Sequence, residues 1–131
     1  MRLGYVTIGA LDEAASVAFY DAVFGAIGGE RKFSDGGWTG YGAKERKDGD
    51  VFVIAKPYDG QPARAGNGIM LSFKAGDRAQ VAAAHAAGLA HGGTDEGAPG
   101  PRPADSTTFY GAYLRDPTGN KLCVYCSIKP A

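Results

Sequence analysis

The chain has 131 residues, enough for one domain of ordinary size or two half-domains sharing a core. Lys plus Arg and Asp plus Glu balance at 14 each, which removes the electrostatic case for nucleic acid or an anionic membrane surface as a partner. No apolar run approaches the ~20 residues of a membrane span, and 21 glycines among many aromatic residues point to a sheet-rich protein with tight turns.

Strand-like alternation begins at residue 3 with no apolar leader before it, so the expected location is the cytoplasm. Residues 3–9 read as a strand. Asp12 then caps a helix, with Glu13 favourable in its first turn and Val17, Tyr20, Phe24 and Ile27 forming an apolar face before Gly28-Gly29 ends it. Three strands are expected near 30–34, 38–46 and 51–57, separated by Asp35-Gly36-Gly37 and Lys47-Asp48-Gly49-Asp50. Residues 58–68 have loop composition. A strand at 69–74 follows, then Asp77-x-x-Gln80, a capping box opening an Ala-rich helix that stops at Gly92-Gly93. Residues 94–105 are rich in Gly and Pro. The chain closes in a hairpin over 109–126, whose turn Asp116-Pro117-Thr118-Gly119-Asn120 has type I chemistry.

Cys123 and Cys126 form a C-x-x-C, but on a strand, where residues three apart point to opposite faces. They are expected to be separate reduced thiols. The two halves also repeat one another: Gly28-Gly29-Glu30 returns as Gly92-Gly93-Thr94, and the caps Asp12 and Asp77 stand nearly the same interval apart. Strand, helix and strand meander occur twice. The expected class is α+β, two βαβββ modules forming paired mixed sheets around a cup-shaped cleft. Module one spans 1–57, the linker 58–67 and module two 68–131 of a single domain.

Three motifs carry a resemblance to a known family. Met1-Arg2-Leu3 is followed by Asp12-x-x-x-Ser16-x-x-Phe19-Tyr20, then come Gly92-Gly93-Thr94 and Asp116-Pro117-x-Gly119-Asn120-Lys121. In this order the chain resembles the vicinal oxygen chelate superfamily of glyoxalase I, extradiol dioxygenases and bleomycin-resistance proteins. The resemblance implies paired βαβββ modules, commonly a homodimer, and a cup between the sheets. Metal-dependent members bring four strand positions to one divalent ion. Carried onto this chain, those positions are Tyr5, Ala55, Gly68 and Cys123, and only the thiol is an ordinary ligand. His85 and His91 lie on the second helix and near its end, six residues apart, away from any i, i+4 metal pair. No metal and no cofactor is therefore expected.

By alternation, Tyr5, Thr7, Val53, Ala55, Gly68, Met70, Cys123 and Tyr125 share the cup face, and Trp38 and Tyr41 are candidates to wall its mouth. Such groups suit an apolar or aromatic small molecule, with phenols and a thiol as the polar contacts; equally, they can fill the cup as ordinary core. Lys56 should face away from the cup, and Arg64 and Arg102, in loops, are either solvated or anion contacts. No histidine is placed to activate Cys123. Three functions are left to weigh. The first is metal-free small-molecule binding, the second a glyoxalase-like lyase or isomerase, and the third a paralogue with a filled cup acting as a structural partner.

Overall fold

A computed structural model describes residues 1–49 and 51–128. The elements run β1 (Tyr5–Gly9), α1 (Glu13–Gly25), β2 (Gly29–Asp35), β3 (Trp38–Ala43), β4 (Val51–Ala55), β5 (Leu71–Lys74), α2 (Arg78–Ala90), β6 (Thr94–Pro101), β7 (Phe109–Arg115) and β8 (Lys121–Ser127). This is an α+β fold of two βαβββ modules. Each contributes one four-stranded mixed sheet, ordered β1-β4-β3-β2 and β5-β8-β7-β6. In both, the strand before the helix returns parallel to the last strand, and the meander is antiparallel.

The helices start where local chemistry dictates. Asp12 Oδ1 accepts from the Ala15 N–H at 3.1 Å, and Asp77 Oδ1 from the Gln80 N–H at 2.8 Å. Gln80 reaches back to the Gly76 N–H at 2.8 Å, so the box closes one residue early. Phe19 and Val23 are fully buried on α1 beside Tyr20 and Phe24, a wider apolar stripe than the four-residue face implies. The cause is tertiary: α1 packs on the first sheet and also against α2, so two sides of it are covered.

The segment at 94–105 is rich in Gly and Pro, yet most of it is β6. Its glycines and Pro99 are tolerated because β6 is an edge strand that pairs only with β7, and its ladder is interrupted between Asp95 and Gly97 and between Gly97 and Gly100.

One core serves both modules. Tyr20 and Phe24 from α1, Phe52 from β4 and Leu122 and Val124 from β8 belong to it, and Phe73 of β5 packs against it. The Phe52 and Phe73 rings meet at 5.3 Å between centres, so the inner faces of the two sheets approach each other directly. Their outer faces point away from this core.

The closing turn fastens the modules. Asp116 is buried, and its Oδ1 accepts from the N–H groups of Thr118, Gly119 and Asn120, each at 2.9 Å. Its Oδ2 accepts from the Tyr20 hydroxyl at 2.7 Å and from Asn120 Nδ2 at 3.0 Å. Asn120 also donates to the Gly9 carbonyl at 3.0 Å, and Thr118 Oγ1 accepts from the Leu11 N–H at 2.9 Å. Gly119 closes the turn with φ of 104°, a conformation that favours glycine.

Candidate functional site

Strand pairing determines which side chains share a face. On the first sheet Tyr5 pairs with Val51, Thr7 with Val53, and Ala55 with both Gly9 and Trp38. Tyr5, Thr7, Val53, Ala55 and Trp38 therefore lie together on the outer face. Val53 and Ala55 are buried, whereas Tyr5 is 67% and Trp38 44% exposed. Phe33 of β2 joins them: it pairs with Gly40, and its ring occupies the space where a Cβ on Gly40 would sit. Ala63 of the linker packs over Gly9 and closes one end of this face.

Tyr41 lies on the other side. It is three residues from Trp38 on one strand, so it faces inward, is buried, and donates to Asp21 at 2.9 Å. It cannot wall the same mouth as Trp38.

On the second sheet Ser72, Cys123 and Tyr113 are register partners across three strands, and Lys74, Tyr125 and Gly111 form the next row. Cys123 and Tyr125 therefore share that outer face. The Phe109 ring covers Gly111 and stacks on Tyr125 at 5.3 Å, repeating the arrangement of Phe33 over Gly40. Met70 is exposed just before β5, and Gly68 sits in a turn with φ of 87°. Burial pushes the Cys123 thiol upward against the opposing influence of Tyr113 and Ser72. At neutral pH it is a protonated thiol. Cys126 belongs to the inner core, and both cysteines are free.

Within one chain these residues form two separate sets, one on each outer face. Between the modules lies an open cleft of about 410 Å³, bounded by Val6, Phe24, Tyr41 and Phe52 on one side and by Phe73 and Lys74 on the other. Of the nine residues expected to contact a ligand, only Tyr125 borders it.

The residues at the transferred metal positions do not fit a divalent ion. Ala55 and Gly68 carry no side-chain donor, which leaves a phenol and a thiol on different sheets, short of the usual four ligands. Among the described residues no group of three or more His, Cys, Asp or Glu side chains could hold a metal. The histidines are otherwise engaged: buried His85 contacts Asp95 at 2.9 Å, tying α2 to β6, and His91 Nδ1 contacts the Ala87 carbonyl at 2.8 Å.

Sequence reasoning missed Phe33, which lies on the strand expected near 30–34. It also read Asp116 only as a turn residue. Three-residue spacing from Asp to Gly marks the turn, but nothing local marks Tyr20 as its partner.

Comparison with known proteins agrees with this architecture. The family model described as Glyoxalase/Bleomycin resistance protein/Dioxygenase superfamily matches residues 2–124. A glyoxalase/bleomycin resistance protein from Albidiferax ferrireducens T118 is 40% identical, with TM-score 0.85 over 95% of this chain and 98% of that one. A glyoxalase-related enzyme from Fulvimarina pelagi is 21% identical, with TM-score 0.72 over 96% and 88% of the respective chains. A family enzyme from Burkholderia phytofirmans PsJN is 20% identical, with TM-score 0.72 over 96% and 98%. The latter two speak to the fold alone. No protein with a curated description matches. No helix is long and apolar enough to cross a membrane among the described residues.

Proposed function

The chain belongs to the glyoxalase/bleomycin resistance protein/dioxygenase superfamily, and we propose that within it this protein is a metal-free, homodimeric binder of apolar or aromatic small molecules. The observation that carries this reading is the outer face of the first sheet. Tyr5, Trp38 and Phe33 stand exposed there around buried Val53 and Ala55, with the Phe33 ring seated over Gly40. Aromatic side chains around a small apolar floor are the usual lining of a small-molecule site. A surface of this kind is costly to leave against water.

The partner is a second copy. The aromatic and polar halves of the expected site lie on outer faces that point away from one shared core, so a single chain leaves both open. Packing the first sheet of one protomer opposite the second sheet of another brings Tyr5, Thr7 and Trp38 to face Met70, Cys123 and Tyr125 of the other copy. Two such cups form per dimer, and both outer faces of each chain are covered at once. Tyr hydroxyls supply the polar contacts and Cys123 packs as a small apolar group. Its burial-raised thiol and the lack of a neighbouring base favour binding over nucleophilic chemistry. Two free, buried cysteines suit the cytoplasm.

A second location is favoured by the inter-module cleft, whose volume falls within the ordinary range for ligand pockets. Trp38, the only tryptophan, separates the two because it does not border that cleft. The test is a fluorescence titration with N-phenyl-1-naphthylamine, a neutral aromatic dye. Saturable quenching of Trp38, lost in Tyr5→Ala, supports the cup between copies. Saturable dye binding that leaves Trp38 fluorescence unchanged places the ligand in the cleft instead.

A further inference from the structure

We propose that Arg102 and Lys121 form an anion subsite around Tyr113 on the outer face of the second sheet, so that the ligand is an aromatic or apolar molecule bearing a carboxylate, sulfonate or phosphate group. The inference rests on the reading that this face bounds the cup and adds the charge of its ligand.

Arg102 is a fixed group. Its Nη1 donates to the Pro101 carbonyl at 3.0 Å and its Nη2 to the Ala98 carbonyl at 2.6 Å. Those bonds fold the guanidinium back across β6, onto space that only glycine leaves. A Cβ on Gly100 would lie 2.8 Å from Nη1, and one on Gly97 would lie 3.3 Å from Nη2. The Gly-rich composition that obscures β6 in the sequence is what makes room for this cation. Arginine carries five N–H donors, so the two carbonyls leave others to meet a planar anion.

Lys121 approaches the same ring. Arg102 Cζ and Lys121 Nζ each lie 5.8 Å from the Tyr113 ring centre. Both cations add positive potential beside the one ring, where an anionic group on a ligand is favoured.

The nearby acids are already engaged. Glu96 accepts from Arg115 at 2.8 Å, and Asp95 is shared between His85 and the Gly97 N–H, both at 2.9 Å. Among the described residues neither Arg102 nor Lys121 has a carboxylate within salt-bridge distance, while, behind the hydrogen bonds to His85 and Arg115, Arg102 and Lys121 help hold the Asp95 and Glu96 carboxyls, respectively, below their ordinary values. Ser72 and Tyr113 flank Cys123 in the adjoining row and offer hydroxyl donors. The two halves of the cup are thus chemically unlike. The first sheet offers an apolar aromatic surface, and the second offers cations and hydroxyls.

Two dyes sharing one aromatic skeleton test this. 8-Anilino-1-naphthalenesulfonate carries the anion, and N-phenyl-1-naphthylamine lacks it. The wild type should bind the sulfonate about tenfold or more tightly at low salt, an advantage that added salt erodes. Lys121→Gln should remove most of that advantage and leave the neutral dye unchanged. Arg102→Gln should do the same. Because Arg102 also holds β6 through backbone carbonyls, the Lys121 variant carries the test if Arg102→Gln folds poorly. Equal binding of the two dyes by the wild type overturns the subsite, as does equal weakening of both dyes in Lys121→Gln; either leaves the aromatic cup standing. Failure of both dyes to bind overturns the cup and the subsite together.

Discussion

The Tyr20 hydroxyl of the first module donates to buried Asp116 Oδ2 of the second at 2.7 Å, across 96 positions of sequence. The carboxylate this bond completes already organises its own turn through three N–H groups. It is therefore both a local device and a buried polar link between the modules. Burial and then the Asp116 charge push the Tyr20 phenol well above its ordinary value, so it stays a donor throughout the neutral range.

Tyr20→Phe should lower stability by about 1–3 kcal/mol, the cost of leaving a buried acceptor short of a donor. Asp116→Ala should cost more, because three turn N–H groups and Asn120 lose their acceptor together. Urea unfolding of both variants measures this. A Tyr20→Phe protein as stable as the wild type would show that the link is incidental.

Alkaline pH should destabilise the fold. Burial raises the Cys123 and Cys126 thiols and the Tyr20 and Tyr41 phenols in the native state. In the unfolded chain they ionise near ~8.5 and ~10. Above those values the unfolded state holds fewer protons than the native state, so stability falls as pH rises. The contribution is complete below about pH 8 and is lost in two stages above it. Unfolding free energies across that range check the sign. In the native protein neither thiol should react with Ellman's reagent at neutral pH, and both should react in denaturant.

Metal affinity should be absent. Zinc, nickel, manganese and iron should give no thermal shift, because Ala55 and Gly68 supply no side-chain donor and one phenol with one thiol falls short of a four-coordinate site. Restoring donors as Tyr5→His, Ala55→Glu, Gly68→His and Cys123→Glu should create affinity only in a dimer, since the positions divide between two sheets. Gly68→His is the weak member, because φ of 87° strains any side chain there. A stoichiometric ion in protein purified without chelator would contradict the account.

Much of the architecture was legible locally. Asp12 and Asp77 announce their helices because a cap is a three-residue event, and alternation puts Tyr5 with Thr7 and Cys123 with Tyr125 correctly. The inward turn of Tyr41 also follows from that alternation, once Trp38 is taken as the outward reference. What local pattern cannot carry is packing. Strand β6 survives its glycines and Pro99 only because β7 supplies its ladder, and Arg102 then uses the space those glycines leave. Nor can alternation say that the two outer faces turn away from one core; that depends on where Phe52, Phe73 and both helices meet.

The homodimer should be present at micromolar concentration. Tyr5→Asp, placing a charge on the exposed outer face, should shift sedimentation towards the monomer without unfolding the chain. Wild type sedimenting only as a monomer would remove the second half of the proposed cup.

The most direct test of a ligand site shared between copies mixes two variants defective on opposite faces, Tyr5→Ala and Tyr125→Ala, and titrates N-phenyl-1-naphthylamine. Each variant alone should fail to bind the dye, since each cup lacks one wall. After unfolding and refolding together, mixed dimers should regain binding, because one of their two cups draws both intact walls from different chains. A mixture as dark as its parents, beside a wild type that binds, would contradict the account and put the whole site within a single chain.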